Sequence, residues 1–173
     1  MDLGFNITGT RRTETFRSVT GVIEALEPVG NMGNESCTLL AQLQTRQEGP
    51  MGFLITPDTY VVDYEPLSTG MTVTFWYRTD APAPLIYPPR YYGAVAAVER
   101  EGRSVDVSYY DRELVNENRT LRLNLDESIP VRLTNNQFYR GNQGNHNLVV
   151  SYSFSTRSIP AQTTPDAVVV LCD

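Results

Sequence analysis

The stretch from Phe53 to Val98 limits what this chain can fold into more than any other, because a weaker copy of it returns at Val131–Leu171. The two copies match in order. Leu54-Ile55-Thr56 corresponds to Arg132-Leu133-Thr134, Tyr60 to Phe138 or Tyr139, and Met71–Phe75 to Leu148–Tyr152. Pro84 then matches Pro160, Pro89 matches Pro165, and Ala94-Val95-Ala96 matches Ala167-Val168-Val169. The offset drifts from 78 residues at Leu54 to 73 at Ala94, so the second copy needs short deletions. Identity is low, and two unrelated β-hairpins would produce a similar match. A period of about 75 residues is too long for a solenoid unit and suits two tandem small domains.

The pattern along the chain is β throughout. Phe16, Val19, Val22 and Ile23 lead to turn signals at Pro28–Asn31 and Gly33-Asn34. Cys37, Leu39, Ala41 and Leu43 alternate against Thr38, Leu40, Gln42 and Gln44, the period of a strand with one buried face. Met71–Tyr77 is β-branched and aromatic without a breaker, and is the strongest strand signal. A Pro-rich loop, Thr79–Pro89, precedes a closing strand at Tyr91–Val98. The charged segment Glu99–Arg103 is the best boundary between halves. Alternation returns at Val105–Tyr110 and Leu121–Asp126, and strand signals follow at Val131–Leu133, Leu148–Phe154 and Ala167–Leu171. No amphipathic helix longer than two turns is visible.

These observations predict an all-β protein. Residues 1–14 form an N-terminal arm or edge strand, residues 15–100 a first small Greek-key barrel of OB type, and residues 101–173 a second. The alternative is a single ten-stranded β-sandwich.

Charge narrows the function. The chain carries a net charge of −6, and both halves are acidic, so nucleic acid is a poor partner. All 14 basic residues are arginine. No stretch approaches the roughly 20 apolar residues that span a bilayer, and no basic-then-apolar leader opens the chain. A chain starting natively at Met1 is expected in the cytoplasm; one trimmed from a longer parent is expected at the cell envelope. Cys37 and Cys172 match no metal spacing and read as small buried hydrophobes. Sequons at Asn6, Asn34 and Asn118 carry little weight beside turn chemistry.

The string from Thr59 to Val98 resembles an uncharacterised group of clostridial (Firmicutes) β-barrel proteins. It shares their hydrophobic strand (Met71–Tyr77), acidic and proline-containing loop (Asp80–Pro84), Ile86-Tyr87-Pro88-Pro89 turn and small-residue strand (Ala94–Val98). The resemblance covers about a quarter of the chain and is most specific at Ala81–Pro89. It implies an envelope setting, since similar segments lie beside surface stalk domains, and it implies no activity.

Catalytic chemistry is sparse. His146 is the only histidine and lies in a Gly/Asn-rich loop without neighbouring ligands, so it reads as an exposed loop residue. The pairs Asp126-Glu127 and Asp63 with Glu65 fall in turns or at strand ends, where acids are ordinary. Neither a nucleophile elbow nor a phosphate loop is present, and no cofactor is expected.

Two binding candidates remain. Tyr87, Arg90, Tyr91 and Tyr92 flank the stiff Pro88-Pro89 turn and would present amphipathic area to a protein or glycan at low entropic cost. The plainer reading is that Tyr87 and Tyr91 plug a barrel end. Arg122 and Arg132 are expected nearly opposite one another on adjacent strands, with Tyr110 nearby, as an anion or single-strand site on an OB-type face. The plainer reading there is solvated arginines beside Asp106 or Asp126. The expected function is therefore a non-catalytic binding module. The alternative is single-stranded nucleic-acid or oligosaccharide binding.

Overall fold

Strand β1 (Phe16–Val29) is long enough to serve two neighbours, and the first sheet is built around it. Its first half pairs antiparallel with β5 (Thr72–Arg78), its second half with β2 (Thr38–Thr45). Gly21 sits where the two ladders overlap: a Cβ there would lie 2.6 Å from the Gln44 carbonyl oxygen, so only glycine permits this approach. A register shift between Ile23 and Ala25 leaves Glu24 as a bulge that bends the strand. The structure is a computed structural model and describes residues 14–30, 36–82 and 85–172. The expected arm falls almost wholly outside the described residues, as do Asn6, the Gly33-Asn34 turn and Pro84.

The sheet continues with β3 (Pro50–Ile55), β4 (Tyr60–Val61), β6 (Arg90–Tyr92) and β7 (Val95–Val98), in the order β4-β7-β5-β1-β2-β3-β6. A 3-10 turn, Val62–Tyr64, follows β4. β6 runs parallel to β3 and β7 antiparallel to β5. One nearly continuous segment thus changes partner at Gly93-Ala94, where the Gly93 amide donates to Leu54 (2.9 Å) and the Ala94 amide to Trp76 (2.8 Å). The sheet curls so far that Phe53 on β3 stacks on Phe75 on β5, with ring centroids 4.7 Å apart, although two strands separate them in the ladder.

The second half forms a four-stranded sheet, β10 (Val131–Leu133), β13 (Ala167–Leu171), β11 (His146–Tyr152) and β8 (Ser104–Tyr110), in that order. A separate pair joins β9 (Leu121–Leu123) in parallel to β12 (Ala161–Thr163). Buried Asn116 organises the turn into β9: its Oδ1 accepts the amides of Thr120 (2.8 Å) and Leu121 (2.9 Å), beside backbone bonds from the Asn116 amide to Leu121 and from the Leu123 amide to Leu114 (both 2.9 Å).

The all-β class is as the sequence pattern predicts, but none of the sheets closes into a barrel, and the architecture is sandwich-like. Both faces of the first sheet are covered at β5 and β7, while one face of β1 and β2 stays exposed. Phe53, Phe75, Ile23 and Ala96 fill one side. On the other, Trp76, Val95 and Ala97 meet Val107 and Val149 of the second sheet. This explains the small apolar run in β7, all of it buried. A third cluster packs Leu148, Val150, Val168 and Val170 against Leu121 and Leu123. Two polar links also tie the halves: the Thr15 amide donates to the Glu117 carboxylate (2.9 Å), and the Tyr64 hydroxyl donates to the Thr134 carbonyl (2.5 Å).

Candidate functional site

The segment after β5 is braced at both ends. At one stem Arg78 grips Asp80 through Nε (3.1 Å) and a terminal nitrogen (3.2 Å), and this hydrogen bonding draws the Asp80 carboxyl below its ordinary range. At the other, the Gly52 amide donates to the Pro89 carbonyl (2.8 Å), laying the turn across β3. A Cβ on Gly52 would come within 3.2 Å of both Leu40 and Arg90, which shows how closely the segment is seated. Between the stems the side chains of Leu85, Ile86 and Tyr87 face solvent, Leu85 without cover and Tyr87 80% exposed.

The four residues singled out around Pro88-Pro89 divide. Tyr87, Arg90 and Tyr92 are exposed. Tyr91 points the other way, because successive residues of β6 alternate faces. It stacks on Tyr77 (4.2 Å) and tilts against Phe53 (6.1 Å) at the rim of the curled sheet. Tyr91 is thus packed and Tyr87 is not.

Arg122 and Arg132 do not face one another across paired strands as expected. Arg122 lies on β9, which pairs with β12, whereas Arg132 lies on β10, which pairs with β13. Arg132 is further engaged at home. Its guanidinium lies 4.4 Å from the centre of the Phe138 ring and donates to the Asn136 carbonyl at 3.1 Å.

The remaining candidates are mostly occupied with structure. His146 opens β11 rather than standing in a loop, and its Nε2 lies 2.9 Å from the Tyr139 hydroxyl. The same hydroxyl lies 3.0 Å from the Asn142 carbonyl. Asp126 caps its own turn by accepting the Ser128 amide (2.8 Å), and the hydrogen bonds from Ser128 draw its carboxyl below the ordinary range. Asp63 pairs with Arg103 (2.9 Å) and Glu65 with Arg100, so those two acids tie the first half to the charged boundary segment instead of sharing a site. Cys37 and Cys172 are free and exposed, not buried as expected.

Two arrangements were not visible in the sequence. In the first, Asp106 accepts the Tyr110 hydroxyl (2.5 Å) and the Asn116 amide (3.2 Å) on the same carboxylate oxygen. Burial pushes the Asp106 carboxyl up, and the two hydrogen bonds oppose that rise. Tyr110 has no exposed surface, and its hydroxyl is held protonated by burial and by Asp106. The strand alternation had placed Asp106 and Tyr110 together, but nothing marked that face as buried.

The second arrangement is a cleft of about 1000 Å³ where the halves meet, lined by Thr56–Val61, Tyr64, Arg78, Tyr92, Thr134, Asn135 and Cys172 among others. Tyr60 and Tyr64 meet edge to face there, with centroids 5.8 Å apart. Burial first, then the neighbouring Tyr64 and Asp63, push the Tyr60 hydroxyl up to about 12. Asp63 and Tyr64 both adopt left-handed backbone (φ 60° and 53°), which is uncommon for consecutive residues with side chains. Among the described residues, no group of three or more His, Cys, Asp or Glu side chains is placed to hold a metal ion. No helix among the described residues is long and apolar enough to cross a membrane.

No family model, curated protein or solved structure matches this chain.

Proposed function

We propose that this chain is a non-catalytic binding module that engages a protein partner through the loop Leu85–Arg90. The exposure of Leu85, Ile86 and Tyr87 in sequence carries this reading. Contiguous exposed apolar side chains on a soluble surface commonly mark an interaction site. The stems at Asp80 and Pro89 hold the loop in place before it meets a partner, which lowers the entropic cost of binding.

The proposal extends to architecture. The parallel pairing of β3 with β6 and antiparallel pairing of β5 with β7 correspond to β10 with β13 and β11 with β13. Each half is then an open variant of one five-stranded OB-like unit. The loops after β5 and β11 both carry exposed apolar residues: Leu85–Tyr87 in the first half, Phe154 and Ile159 in the second. Loops at this position flank the ligand face of OB folds. The resemblance at Ala81–Pro89 would put the partner at the cell envelope.

Affinity capture from extracts of the source cells, comparing the wild type with a Leu85→Ser/Ile86→Ser/Tyr87→Ser variant, tests the reading. A specific partner held by the wild type and lost by the variant supports it. Equal capture by both, with the variant folded, removes it.

A further inference from the structure

The cleft between the halves is chemically unlike the Leu85–Tyr87 loop, and it stands as a separate site. We infer that it binds a neutral oligosaccharide. Four observations lead there.

Size and place come first. About 1000 Å³ is at the upper end of small-molecule sites, and such sites favour junctions between units. Second, the cleft offers aromatic faces. Tyr64 is 54% exposed and Tyr92 62% exposed, so both rings remain open to a ligand. The C–H face of a pyranose is apolar and weakly positive, which suits the negative face of such a ring.

Third, Arg78 and Glu65 at the cleft are already paired, which leaves exposed Asp58 as the remaining charged side chain on its walls. Arg78 is clamped by Asp80 and lies 5.6 Å from the centre of the Phe16 ring, and Glu65 is paired with Arg100. An anionic ligand would find the arginine of the cleft engaged, while the net charge of −6 repels polyanions. Hydroxyl and amide groups of Thr56, Thr134 and Asn135 line the same walls and match a ligand rich in hydroxyls.

Fourth, the cleft is organised in advance. The left-handed backbone at Asp63 and Tyr64 turns the Tyr64 ring across the junction, where its hydroxyl bonds to Thr134. Strained backbone of this kind persists only where its surroundings hold it, and it gathers at ligand sites. A ring fixed before binding loses little freedom on binding.

Titration calorimetry of the full chain with cellohexaose, chitohexaose and maltohexaose, with hexathymidylate as the anionic control, tests this inference. At least one neutral hexasaccharide should bind. Its affinity should change less than about twofold between roughly 50 and 500 mM salt, because no charge is recognised. Tyr92→Ala should weaken it at least tenfold and Tyr92→Phe less than about threefold, since the ring face and not the hydroxyl makes the contact. Tyr87→Ala should leave it unchanged, which separates this site from the loop. Tyr92 is exposed, so its variants should keep the wild-type melting temperature. The inference is overturned if none of the three sugars binds, if Tyr92→Ala binds like the wild type, or if hexathymidylate binds in their place.

Discussion

Replacing Tyr110 by Phe removes one oxygen from the interior and leaves the ring in place. The ring has no exposed surface, so the packing of the third cluster should survive almost unchanged. What is lost is the hydroxyl that donates to Asp106 at 2.5 Å. The carboxylate would then keep only the Asn116 amide at 3.2 Å among its two side-chain donors. A hydrogen bond to a charged group contributes about 1.5–3 kcal/mol, against about 1 kcal/mol for a neutral pair. Near neutral pH the substitution should therefore cost about 2 kcal/mol, or roughly 4–8 °C in melting temperature for a chain of this size.

The loss should also depend on pH. Burial raises the folded-state pKa of Asp106 above its unfolded value, so ionising it costs stability as pH rises through the folded value. Tyr110 opposes that rise by bonding the carboxylate. Without the hydroxyl the folded protein holds its proton to higher pH, and stability falls more steeply with pH than in the wild type. The difference between variant and wild type should be smallest in acid, where Asp106 is protonated in both, and should grow towards neutrality. Urea unfolding across about pH 4 to 8 measures it. A cost below about 0.5 kcal/mol near neutrality, or a cost larger in acid, would refute the reasoning.

Gly21→Ala should destabilise by about 1–3 kcal/mol, because the new Cβ meets backbone that cannot swing aside; a melting temperature equal to the wild type's would contradict the bend placed there. Tyr91→Ala should lower stability by about 2 kcal/mol through its lost stacking on Tyr77, whereas Tyr87→Ala should stay within about 0.5 kcal/mol. Equal effects of the two in denaturant titrations would undo their assignment to opposite faces. Cys37 and Cys172 should both react promptly with a thiol reagent in native buffer, and a thiol that reacts only after unfolding would show burial.

Local patterns made the strands readable and left their partners hidden. Met71–Tyr77 was expected as a strand and β5 lies at Thr72–Arg78, because β-branched and aromatic residues without a breaker are a local signal. The alternation of Cys37–Gln44 likewise became β2. Arg122 and Arg132 were misplaced because β9 and β10 take non-local parallel partners, β12 and β13, which no turn length between them reveals. The barrels were expected to close, and the exchange of partners at Gly93-Ala94 is a matter of backbone hydrogen bonds that composition does not show. Tyr87 and Tyr91 could not be told apart as exposed and packed until the register of β6 against β3 fixed the alternation. The junction cleft escaped notice for a similar reason: Tyr64, Tyr92 and Thr134 are distant in sequence and meet only when the halves pack.

Site-specific photocrosslinking in the source cells tests the binding-module reading most directly. A benzophenone side chain would replace Tyr87 in one variant and exposed Arg112, remote in sequence from the loop, in another. The account predicts one discrete protein adduct from position 87, absent from position 112 and lost when Leu85 and Ile86 are changed to Ser. No adduct at position 87, or the same adducts from both positions, would contradict it.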